Sequence, residues 1–177
     1  MQVDINAKTE EIPATARDYY SARVIRNPSI LYGPGVLEFY KGHELLEVVP
    51  VITGHLELDP HQYGGITPPV VWEVIEPVHD HEEGNGGYSG EFAKIMPFNT
   101  DSFDEEYSKR TYKREGDRFK FHPVRWQKGK STGCICPVLP FWDIAAREIN
   151  RGVNHARKEG YSYLIGVEDF PIIRTPS

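Results

Sequence analysis

The stretch from Val36 to Val49, VLEFYKGHELLEVV, constrains the fold more than any other feature of the sequence. Val36-Leu37-Glu38-Phe39-Tyr40 and Leu45-Leu46-Glu47-Val48-Val49 are rich in β-branched and aromatic residues, and they flank the turn Lys41-Gly42-His43-Glu44. This reads as a β-hairpin. A hairpin cannot bury its apolar face alone, so further strands or a helix must supply the rest of the core.

Candidates follow along the chain. Val70-Val71-Trp72-Glu73-Val74-Ile75 makes a third strand that Pro77 ends, and Arg118-Phe119-Lys120-Phe121-His122 alternates with both phenylalanines on one face. Gly133 to Pro137 is a short strand, and Tyr161 to Val167 is a last one. One helix stands out. After Leu139-Pro140, the residues Trp142, Ala145, Ile149, Val153 and Ala156 recur at spacings of three and four. Arg157 and Lys158 suit its last turn, and Gly160 its C-cap.

The expectation is a mainly β (α+β) domain over residues 30–177, with one long helix after the cysteines. Residues 1–29 read as an N-terminal arm, helical around Ala14 to Val24 and stopped by Asn27-Pro28. Residues 77–117 carry loop chemistry, with one short apolar segment from Phe92 to Met96. A stretch of that length is a binding loop or lid, unless it hides further elements. With 177 residues, eight Phe, ten Tyr and three Trp, the chain can fill a single core.

Charge and hydropathy exclude some partners. The net charge is −6 with both signs interspersed, so no basic face is available to track phosphates, and nucleic acid is not an expected partner. No run approaches the roughly 20 apolar residues of a membrane-spanning helix. The start, MQVDINAKTEEIPATARDYY, has neither a basic region nor an apolar core, which predicts a soluble protein made in the cytoplasm without a signal peptide.

Both cysteines of the chain fall within STGCICP. At Cys-x-Cys spacing an internal disulfide would be strained, so thiol chemistry or packing is expected instead. A cysteine attacks carbonyls as its thiolate and needs a base beside it. His122 sits at a strand end, and the segment VRWQKGKST is long enough to fold back and bring it to Cys134 from an adjacent strand. Gly133 lets a substrate backbone approach the sulfur, and N–H groups around Gly133 and Cys134 suit an oxyanion site. Cys136 shares a face with Cys134 by strand alternation, and packing is its expected role. His79, Asp80, His81, Glu82 and Glu83 have metal-ligand chemistry but read more simply as a solvated acidic loop. His55 and His61 flank a candidate substrate loop. Trp126 suits either stacking on a substrate or covering the core edge.

The segments FKFHP, at 119–123, and STGCI, at 131–135, resemble the signature of the L,D-transpeptidase catalytic domain. They are nearest to the shortened form in L,D-transpeptidase-like antibacterial effectors delivered by type VI secretion. The hairpin ending in Thr53-Gly54, and Gly65-Ile66-Thr67-Pro68 after it, are similar to family elements. The resemblance covers about Ile30 to Val167.

It implies a β-sandwich or barrel that acts on peptidoglycan stem peptides. Cys134 would be the nucleophile and His122 the base, with Ser131 orienting the histidine and Gly133 shaping the oxyanion site. Arg125, Trp126, Lys130 and Thr67 are the implied substrate-binding residues, and no cofactor or metal is implied. Many relatives carry arginine where this chain has Cys136. The wall substrate lies outside the cytoplasm, so delivery by a secretion machine or by phage lysis is expected, and an exporting cell would need an immunity protein.

Other readings start from the same residues. A papain-like amidase would place its cysteine before the histidine and at a helix start, opposite to the order here. A non-catalytic wall-binding or virion module would keep the pair for packing alone. A metal site would need His122, Cys134 and Cys136 on one ion.

Overall fold

The computed structural model describes residues 18–27, 30, 33–54, 67, 69–81, 90–98, 119–124 and 134–170. Among them the chain is mainly β, a curled sheet with one helix. The expected hairpin is present: β2 (Gly35–Lys41) pairs antiparallel with β3 (Glu44–Ile52) across Gly42, whose φ of 58° fits the turn. β4 (Val71–Val74) is the third expected strand.

Two sequence expectations are corrected. The helix over Ala14 to Val24 is, from Tyr20 onward, a strand. β1 (Tyr20–Arg26) pairs antiparallel with β2 and parallel with β9 (Leu164–Asp169), so residues assigned to the arm lie inside the sheet. Ala22 and Val24 face the core, and the alternation continues into Arg26, which is buried against Asp169. Residues 14–17 lie outside the described residues. The region read as loop chemistry also holds a hairpin, β5 (His79–His81) with β6 (Gly90–Pro97). Phe92, Ala93 and Ile95 of β6 are buried, and the strand pairs β4 as well.

The sheet curls until its ends meet. From β6 the order runs through β4, β9, β1, β2 and β3 to β8 (Cys136–Pro137). On its other side, the segment containing β8 lies parallel to β7 (Lys120–Phe121) and its continuation, with Phe121 opposite Ile135 and Val124 opposite Val138. β7 in turn pairs β6, which completes the ring.

The helix α1 (Trp142–Glu159) follows a short 3-10 turn, Leu139–Phe141. Its expected apolar face is the buried one: Trp142, Ala145, Ile149, Val153 and Ala156 join the main core with residues from β1, β2, β3, β4, β6 and β9. Gly160 adopts φ 77° and its N–H closes on the Ala156 carbonyl, the left-handed cap its sequence position suggested. Each large apolar side chain taken from water into this core contributes roughly 1.5–3 kcal/mol.

Candidate active site

Strand alternation builds the site. Phe119, Phe121 and Ile135 point into the main core, so His122, Cys134 and Cys136 are left on the opposite face. There Cys134 and Cys136 pack with Ile52 and Val124 in a second, small cluster. The register is fixed by backbone hydrogen bonds: the His122 N–H donates to the Ile135 carbonyl (3.2 Å), Ile135 to Lys120 (3.1 Å) and Val124 to Pro137 (3.0 Å). Across this parallel pair, His122 comes level with Cys136. On its far side the cysteine segment is held by β3, where Ile52 pairs Cys136.

The imidazole therefore meets both sulfurs. Nδ1 lies 2.9 Å from the Pro123 carbonyl, which only accepts, so that nitrogen carries a proton and Nε2 is the basic one. Nε2 is 3.4 Å from Cys136 Sγ. Cys134 is the second sulfur hydrogen-bonded to the same ring, and the Lys120 backbone N–H also donates to it. All three side chains are nearly dry, with His122 8%, Cys134 4% and Cys136 0% exposed.

The electrostatics favour an ion pair. Burial opposes a charged imidazole, yet the field of Cys136 and hydrogen bonds to Cys134 and Cys136 hold His122 well above its ordinary range. Burial likewise pushes the Cys134 thiol up, but the hydrogen bond and charge of His122, with the Lys120 N–H, outweigh it and hold the thiol below its usual value. A thiolate and an imidazolium are the forms that this arrangement stabilises.

A buried polar chain lies behind the nucleophile candidate, and no pattern in the sequence announced it. Arg26 Nε pairs Asp169 at 2.6 Å, and its Nη1 donates to the Thr53 hydroxyl (3.2 Å), which donates on to the Gly33 carbonyl (2.9 Å). The Thr53 carbonyl accepts from the Thr67 N–H (2.6 Å) and hydroxyl (2.7 Å), and that hydroxyl also lies 3.2 Å from the Cys134 carbonyl. Thr67 is fully buried. It was expected to bind substrate; here its hydroxyl lies between the Thr53 and Cys134 carbonyls, beside the backbone of the nucleophile candidate.

The histidine and first cysteine predicted from the sequence are thus brought together. Packing, the role expected of Cys136, is met by its contacts with Ile52 and Val124, and its approach to His122 is additional. Ser131, Gly133, Arg125, Trp126 and Lys130 lie outside the described residues, as do His55, His61, Glu82 and Glu83. His79 and Asp80 belong to β5 rather than to a loop. Among the described residues there is no group of three His, Cys, Asp or Glu placed to hold a metal ion, and no helix long and apolar enough to cross a membrane.

Fold and site together define a class, a mainly β domain with a cysteine–histidine pair at the seam where its sheet closes. Compared with known proteins, the chain matches no family model and no curated protein.

Proposed function

We propose that this protein is a cysteine enzyme that modifies peptidoglycan, an L,D-carboxypeptidase or L,D-transpeptidase on a domain of the L,D-transpeptidase type. The observation that carries the reading is the imidazole of His122 hydrogen-bonded to a Cys134 thiol whose proton is held less tightly than usual. The resemblance of FKFHP and STGCI supports the substrate class.

In this reading the Cys134 thiol gives its proton to His122, and the thiolate attacks the carbonyl of the third residue of a tetrapeptide stem. The tetrahedral intermediate collapses with the C–N bond to D-alanine breaking, and His122 returns the proton to the leaving amine. The resulting thioester is resolved by water, by a free D-amino acid or by the amine of a second stem, which gives trimming, exchange or a cross-link. Thr67 holds the Cys134 carbonyl, so the sulfur starts from a fixed backbone. The enzyme would act on the wall as an antibacterial effector or a phage-borne protein.

The test is mass spectrometry of tetrapeptide muropeptides, amidated and unamidated, incubated with the wild type and with Cys134→Ala. D-alanine loss, exchange or dimers from the wild type alone are expected. The depth of the sulfurs favours a second reading, a non-catalytic wall-binding or virion module that keeps the pair as packing. Absence of product from folded protein on both stem types would put that reading ahead.

A further inference from the structure

We propose that Cys136 is a positioning residue for His122, its buried sulfur holding the imidazole and its exchangeable proton in place for Cys134. The inference deepens the proposed function and rests on it for the role given to Cys134.

Three observations carry it. First, the parallel register puts His122 level with Cys136, and Cys136 is pinned from its other side by the pairing with Ile52. Second, the two ring nitrogens are differentiated: Nδ1 lies 2.9 Å from the Pro123 carbonyl, so protons enter and leave at Nε2, and Cys136 Sγ is nearer to Nε2 (3.4 Å) than to Nδ1 (3.9 Å). Third, Cys136 is wholly buried, so its sulfur acts on the ring without water between them and is not itself presented to a substrate.

The titratable groups facing the ring among the described residues are Cys134 and Cys136 from one segment. β3 contributes the apolar Ile52 to this cluster, and Lys120 of β7 carries its ammonium over the Phe92 ring, 4.7 Å from the centroid. Both sulfurs are thus hydrogen-bonded to one imidazole. When Cys134 gives up its proton, that proton goes to Nε2, and the polarisable sulfur of Cys136 lies against the new N–H. A residue that only filled space would leave the histidine's protonation unchanged on replacement; this one sets it.

The experiment is a proton–nitrogen NMR titration of His122 in the wild type, Cys136→Ser and Cys136→Ala, with circular dichroism to check folding. Serine keeps a hydrogen-bond partner for Nε2 without an ionisable sulfur, and alanine removes both, so a failure of either variant to fold leaves the other. In both, the His122 midpoint should fall by about one pH unit or more, since Cys136's share of what offsets the desolvation of its charge is lost. Alkylation of Cys134 should move to higher pH as the imidazolium beside it is lost. A His122 midpoint unmoved in the folded variants, or an alkylation profile moving to lower pH, overturns the proposal. Turnover of muropeptides is read separately. An inactive wild type with the shifts intact would sink the enzyme reading and leave the role of Cys136 standing.

Discussion

Along the paired segments 119–124 and 134–138, two faces of the same backbone can be compared. Phe119, Phe121 and Ile135 turn to the main core, while His122, Cys134 and Cys136 turn to the small cluster around Ile52. Both sets are almost wholly buried. On the first face depth is filled by ring contacts, Phe119 tilted on Trp72 at 4.6 Å and Phe121 on Trp142 at 5.5 Å. On the second the same depth surrounds groups that ionise. Burial there is no stabiliser by itself: it makes each charge costly unless the opposite charge lies beside it. One face holds the strand, and the other uses that rigidity to keep a proton donor and acceptor in register.

The comparison can be broken first from the core side. Phe121→Ala should lower unfolding free energy by about 3–5 kcal/mol in urea denaturation, by leaving a cavity under Trp142. A loss under about 1 kcal/mol would mean that this face does not carry the strand. A smaller core effect comes from the helix. Gly152 is pressed against Tyr163, whose ring an added Cβ would strike, so Gly152→Ala should destabilise by about 1–3 kcal/mol despite alanine's better helix propensity.

From the reactive side, His122→Ala should slow alkylation of Cys134 near neutral pH by about tenfold for each pH unit by which the histidine lowers the thiol's titration. The sign follows from the depressed thiol: the wild type reacts as a thiolate below the usual range of about 8.5, and without His122 its rate curve moves to higher pH. Equal rates in the two proteins would dissolve the distinction between the faces. The smallest effect is a control remote from both. Gly160→Ala should cost about 1 kcal/mol, because alanine is strained at φ 77°, and it should leave alkylation unchanged.

Much of the first face was legible. The phenylalanine alternation, the hairpin and the stripe of α1 are local patterns, and local patterns survive without knowledge of the fold. β1 was not legible as a strand, because Ser21 and Arg26 are buried polar residues in its pattern and interrupt the apolar alternation. β6 was hidden for a related reason: Phe92 and Ala93 are consecutive and both buried, which breaks period two. In the site, His122 and Cys134 were readable as a pair. The nearness of Cys136 to Nε2 was not, since it depends on the register between 119–124 and 134–138, which no residue type encodes. The Arg26, Thr53 and Thr67 chain was invisible for the same reason, its members being far apart in sequence and joined only by the closed sheet.

The parallel pairing of β1 with β9 has a further consequence for how the molecule comes into being. The edge of β1 not paired with β2 waits for residues 164–169, and β9 is also the strand that joins β1 to β4. During synthesis β1, β2 and β3 can pair early and the seam between 119–124 and 134–138 can close next, but β1 and β4 stay unjoined until β9 leaves the ribosome. A nascent chain stopped before that point would expose unpaired strand edges, the kind that recruit other chains into aggregates. Contacts this distant in sequence fold slowly, so maturation of the protein should hinge on β9, well after the cysteines themselves have emerged.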